Sequence, residues 1–166
     1  HQYVGANALW LAARYGEPTI LHLLVDAGAN AFNIPSNGMT TVQAAIGMPG
    51  NTAEDRRNQV DAPRQMELAD EQAMVIHLTT SLLDLGVDVN LPGGNGNAPL
   101  HDAVRRGFGD VVRHLVEHGA EMNTPNGRDQ TPLTLAESRQ TIPGSNGAQT
   151  TRPEIAQLLR ELGATE

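Results

Sequence analysis

The sequence predicts an all-α solenoid of stacked helix-turn-helix units with short β-hairpin turns, and three observations predict it. The first is the stretch Gly96 to Asn123, GNAPLHDAVRRGFGDVVRHLVEHGAEMN, which contains one complete unit. The second is its recurrence. Leu9, Val42, Leu100 and Leu133 stand at the same point of four such units, 33, 58 and 33 residues apart, so the middle gap holds one period and an insertion of 25. The closing glycines Gly28, Gly86, Gly119 and Gly163 keep the same register if the fourth unit carries 11 extra residues. The third observation is an aromatic content of 3%. That is too little for a bulky globular core but suits thin helix pairs packed with Leu, Val, Ile and Ala, none of which can bury its apolar face without a neighbour.

The elements follow in order. In the first unit, about 3–35, helix one is expected near Ala8 to Arg14 and helix two from Pro18 to Ala27. Pro18 suits a first helical turn, where its missing N–H costs nothing. Ile20, Leu21, Leu24 and Val25 form the expected buried stripe. In the second unit, 36–93, helix one runs from Thr41 to Ile46 and stops at the Gly47-Met48-Pro49-Gly50 breaker. A polar insertion, 48–70, follows, and helix two starts near Asp70 or Glu71 with Met74, Val75, Leu78, Leu82, Leu83 and Leu85 as its apolar set. In the third unit, 94–126, helix one runs to about Arg106, Gly107 breaks it, and Asp110 is placed to cap helix two. In the fourth, 127–166, Thr131 to Ser138 is helix one, 140–151 is a Gly/Ser/Asn/Thr-rich loop, and Pro153 restarts the chain as helix two. Arg160 stands where the other units have Val25, Leu83 and Val116, which marks a polar outer face and a C-terminal cap close to the natural end of the chain. The whole is expected to be a single domain, 1–166.

A 33-residue unit with a turn and two helices, opening APLHDA (98–103), TPLTLA (131–136), NALWLAARYG (7–16) and TTVQAA (40–45), resembles the ankyrin repeat. The closings DAGAN, DLGVDVN, EHGAEMN and ELGA fall in phase with these openings. The departures are Trp10, Gln43 and Thr134 where the motif has histidine, and Asp129 where it has a turn glycine. The resemblance implies that His101 ties neighbouring hairpins by a hydrogen bond. At the equivalent site Trp10 reads as packing.

Composition narrows the function. No 18-residue apolar run is present, so no membrane-spanning helix is expected. With no cysteine, disulfide and thiolate chemistry are excluded. The compartment, cytoplasmic or periplasmic/secreted, is left open. All 11 basic residues are arginine, a bias read as that of a GC-rich bacterial genome. A net charge of −8 argues against nucleic acid and anionic membranes as partners. No Gly-x-Ser-x-Gly elbow, phosphate loop or carboxylate pair stands out, so neither catalysis nor a cofactor is expected. His114 and His118, four apart on one helix, are a minor metal alternative that lacks a third ligand. His22 and His77 are expected to face solvent.

The remaining function is recognition of another protein by a monomeric module. The resemblance implies a concave groove lined by hairpin tips and first helices. Carried over residue by residue, the first unit supplies Tyr3, Val4, Arg14 and Tyr15, and the second supplies Asn37 and Met39. The third supplies Asn95, Asn97, Arg105 and Arg106, and the fourth Arg128, Gln130 and Arg139. This set holds five of the 11 arginines and no acidic residue, which suits an acidic partner segment. The alternative is a regulatory or targeting segment of a larger enzyme.

Overall fold

The computed structural model describes residues 4–47, 66–141 and 149–165, so most of the first insertion, 48–65, and the middle of the second, 142–148, lie outside the described residues. Above the level of the single repeat the chain divides into two compact units, a first unit of His1–Asp88 and a second unit of Val89–Glu166.

The first unit contains α1 (Ala8–Tyr15), α2 (Pro18–Asp26), α3 (Thr41–Ile46) and α4 (Leu68–Asp84). Helix α1 packs on α2 and α3, and α4 packs on α3 and α2, which gives a layer of first helices covered by a layer of second helices. Each helix starts and stops for a local reason. Asn7 caps α1 by accepting from the Trp10 N–H at 2.8 Å, and Gly16 closes it in the left-handed region at φ 65°. Thr40 and Gln43 cap α3 reciprocally, hydroxyl to backbone N–H at 3.2 Å and amide oxygen to backbone N–H at 3.0 Å. Leu9, Trp10, Ala13, Leu21, Val42, Ile46, Val75, Leu78 and Leu82 are fully buried between the layers.

The second unit repeats the plan with α5 (Pro99–Arg106), α6 (Gly109–Glu117), α7 (Pro132–Glu137) and α8 (Pro153–Leu162). First helices α5 and α7 pack together, as do second helices α6 and α8. Leu100, Val104, Val111, Val112, Leu115, Leu133 and Leu159 form its core. Two periodic asparagines fasten the closings. Asn90 donates to the Gly119 carbonyl at 3.0 Å and accepts from the Glu121 N–H at 2.8 Å, while Asn123, one period on, accepts from the Thr165 N–H at 3.0 Å.

Several sequence expectations are corrected. Ile20 is not part of the buried stripe but 44% exposed, because α2 is covered only along the line that holds Leu21, and Ile20 lies about 100° round the helix from it. Leu24 and Val25 are half-buried on that line's margins, and Leu85 is 37% exposed beyond the end of α4. Helix α4 begins at Leu68 rather than Asp70 or Glu71, so the last residues assigned to the insertion form its first turn. Asp110 does not cap α6. The cap position is Phe108, whose ring is 2% exposed, and Asp110 sits in the first turn, where its charge complements the helix dipole. The second insertion is not all loop, since Gln140–Thr141 and Gln149–Thr150 pair as a two-residue antiparallel ladder, β1 and β2. Among the described residues the inter-repeat hairpins are closed by backbone bonds, the Gly93 N–H to the Asn97 carbonyl and the Asn126 N–H to the Gln130 carbonyl, each at 2.9 Å.

Those turns share a conformational demand. Gly5, Gly38, Gly96 and Asp129 occupy equivalent positions, and all four have positive φ, 84°, 71°, 77° and 58°. At Gly96 a side chain is excluded by space as well, since a Cβ would stand 2.4 Å from the Gly127 nitrogen. Asp129 bears a left-handed conformation that its Cβ disfavours. Replacing it should rank accordingly: Asp129→Gly raises the unfolding free energy and Asp129→Val lowers it, each by about 1 kcal/mol in urea titrations.

Candidate functional site

In each compact unit the candidate surface is made by the hairpins and first helices, and one recurring bond sets its geometry. In the second unit His101 is fully buried, and its Nδ1 accepts from the Ala98 N–H at 3.2 Å. That bond fixes the proton on Nε2, which donates to the Gln130 carbonyl 3.0 Å away in the next hairpin. In the first unit Trp10, also fully buried, donates its indole N–H to the Met39 carbonyl at 2.9 Å. Each bond spans 29 residues and ends at the corresponding hairpin carbonyl. Trp10 therefore performs the bridging expected of histidine as well as packing. Gln43 keeps the other half of the motif, its Oε1 accepting from the Thr40 N–H as His101 Nδ1 accepts from Ala98.

A second network rigidifies the tips of the second unit. Asn126 Oδ1 accepts from the N–H groups of Arg128 and Gln130, and its amide donates to Asn97 Oδ1 at 2.9 Å. Asn97 in turn donates to Asp102 Oδ1 at 3.3 Å. The same oxygen receives the Arg105 guanidinium at 3.1 Å. Asp102 is 5% exposed, and sequence reasoning missed it because its role depends on residues brought to it by the turn.

The candidate residues are thus placed unevenly. Tyr3 lies outside the described residues. Val4 is 58% exposed, and Arg14 and Tyr15 are half-buried. The Arg14 guanidinium donates to the Gly47 carbonyl, 33 residues on. Asn37 is exposed, with its Oδ1 accepting from the half-buried Met39. Asn95, Arg105, Arg128 and Arg139 are exposed, and Arg106 and Gln130 are half-buried. Asn97, expected at an accessible tip, is instead 8% exposed, its amide committed to Asp102 and Asn126. Arg106 lies over the Phe108 ring, 4.6 Å from its centroid. Asp102, outside the candidate set, lies against Arg105 and partly neutralises it.

Arg152, between the second insertion and Pro153, was also missed. It stands just before α8, its side chain lies against Gly107 at the end of α5, and it donates to the Arg105 carbonyl at 3.3 Å. A guanidinium there opposes the negative end of the helix dipole. His114 and His118 meet in a tilted contact, ring centroids 4.2 Å apart and planes inclined at 46°, and His118 Nδ1 is bonded to the His114 carbonyl at 2.7 Å. The His114 imidazole is held below its usual pKa by burial and by His118, against the pull of Glu117. Among the described residues no three His, Asp or Glu side chains gather to bind a metal, and no helix is long and apolar enough to cross a membrane.

Comparison with known proteins follows the same repeat boundaries. A model described as ankyrin repeats (many copies) matches residues 82–136, and a single ankyrin-repeat model matches 4–37, together more than half of the chain. The chain belongs to the ankyrin-repeat family. Such repeats are generally non-catalytic modules that bind other proteins. The chain is similar to the mouse (Mus musculus) B-cell lymphoma 3 protein homolog, 28% identical over 83% of this chain and 34% of that protein. It is 32% identical to the human (Homo sapiens) neurogenic locus notch homolog protein 1 over 80% of this chain and 6% of that protein. To the Arabidopsis thaliana putative E3 ubiquitin-protein ligase XBAT35 it is 37% identical over 42% of this chain and 15% of that protein. It therefore spans well under half the length of each of these relatives.

Two tests of the bridging bond follow. Trp10→Phe keeps an aromatic ring, smaller than the indole, and leaves the Met39 carbonyl without its donor, and chemical denaturation should show a loss of about 1–3 kcal/mol. For His101, burial holds the pKa below the ordinary 6.5 despite the bonds and the nearby Asp102 that favour the charged form. The unfolded chain thus binds the proton more readily, so the stability this group confers is complete above pH 6.5 and is lost as pH falls below it. Protonating Nδ1 also breaks the Ala98 bond. His101→Gln, which copies Gln43, should flatten the dependence of unfolding free energy on pH below about 6.5.

Proposed function

We propose that this chain is a protein-interaction module of four ankyrin repeats in one domain, monomeric, which holds an acidic segment of a partner protein on its hairpin tips and first helices. The observation that carries this reading is the hydrogen-bonded platform of the second unit. Asn126, Asn97 and Asp102 are linked in a chain beneath the tips and His101 ties Ala98 to the Gln130 carbonyl, so the exposed Asn95, Arg105 and Arg128 stand on backbone that is already ordered, and binding need not order it again. Arg105 uses one NH2 on Asp102 yet keeps 47% of its side chain exposed, so its fork can still meet a carboxylate. Arg128 and Arg139 add exposed positive charge to a chain whose net charge is −8. That balance also disfavours nucleic acid as the partner.

A second reading, a regulatory or targeting segment of a larger enzyme, is supported by the likeness to a putative ubiquitin ligase of which the match covers 15%. A catalytic domain encoded in the same polypeptide would favour it.

Binding of the natural partner tests the first reading. Arg105→Gln with Arg128→Gln should weaken association about tenfold and reduce its salt dependence, while the unfolding midpoint moves little. Glutamine is preferred to glutamate at 105, where a second carboxylate would face Asp102 at close range. Unchanged affinity and an unchanged salt slope would exclude the arginine surface.

A further inference from the structure

The second helices of the first unit hold a feature that the partner surface does not use. His22 on α2 and His77 on α4, 55 residues apart in sequence, bring their Nε2 atoms to 3.4 Å with ring centroids 5.3 Å apart and planes inclined at 57°. Both rings are exposed, and no other polar partner meets either ring among the described residues. A separation of 3.4 Å is long for a hydrogen bond between nitrogens, and a straight N–H···N bond at that length would set the centroids about 5.7 Å apart. The observed rings are bent inward from that line.

Their arrangement matches a different geometry. With Zn–N about 2.0–2.1 Å and a tetrahedral angle, two imidazoles on one ion have nitrogens about 3.4 Å apart and centroids about 5.2 Å apart. We propose that His22 and His77 form a two-imidazole site for a divalent transition ion of the zinc class, bridging α2 and α4. Neutral imidazole suits such ions, and the two remaining positions are open to water or to ligands supplied by a binding partner. His114 and His118 do not offer the same geometry. Their centroids, at 4.2 Å, are too close for two ligands of one tetrahedral ion, and His118 Nδ1 is already bonded to a carbonyl. The first site ties two helices that are distant in the chain, so an ion bound there would stabilise the folded state against the unfolded one.

The experiment is calorimetric titration of the full chain with zinc chloride alone, alongside His22→Gln, His77→Gln and the pair His114→Gln/His118→Gln. Expected is one equivalent bound by the parent and by the His114/His118 variant, with affinity at least tenfold weaker in either His22→Gln or His77→Gln. Because both side chains are exposed, helicity should be unchanged in these variants. Zinc at a hundredfold excess over its Kd should raise the melting temperature of the parent by about 5–10 °C and leave that of His22→Gln unmoved. No binding by the parent, an isotherm in His22→Gln equal to the parent's, or loss confined to the His114/His118 variant would overturn the proposal.

Discussion

Each compact unit depends on a side-chain N–H at the third position of its leading first helix, Trp10 or His101, that reaches the carbonyl of the following hairpin. A helix pair has few apolar residues to spare, and a hairpin tip made of Gly, Asn and Asp has almost none, so the tip cannot be held by hydrophobic burial. It is held by polar bonds made inside the fold, where an unsatisfied carbonyl is costly. His101 and Trp10 place that donor from very different rings, and both are fully buried. Bulk and donor are thus supplied by one residue. The same economy explains why the tips can carry exposed charge without losing their conformation.

Much of this was legible in the sequence because the repeat states it several times. The apolar positions Leu9, Val42, Leu100 and Leu133 are all buried, and the helix ends at Gly16 and Gly107 lie where left-handed backbone closes a helix. Sequence was weaker wherever a role depends on residues brought together by folding. Asp102 reads as a surface acid of α5, but the hairpin folds Asn97 onto it and Arg105 closes over it. Trp10 reads as packing because an indole's single N–H gives no sign of its acceptor. Arg152 follows an insertion whose composition reads as loop, and nothing local shows that it meets Gly107 from the adjacent repeat.

Errors of helix boundary have a similar cause. Asp110 has the composition of a cap, but buried Phe108 sets where α6 begins, and tertiary packing outweighs the weaker capping preference. The α2 stripe is narrower than its periodicity implies, because periodicity marks every residue that could be covered, whereas neighbours determine how many are. Ile20 is the instance.

The unequal helix lengths bear on the order in which the first unit assembles. Isolated helices shorter than about 12–15 residues barely hold in water, since the first turn fixes several dihedrals for a single hydrogen bond. Helix α4 has 17 residues, whereas α1, α2 and α3 have 8, 9 and 6. In the unfolded ensemble α4 alone of these four is long enough to keep residual helix without a neighbour. It therefore offers the nucleus against which α3 and α2 condense, and a repeat interrupted by a long insertion becomes the kinetic seed of its more regular neighbour.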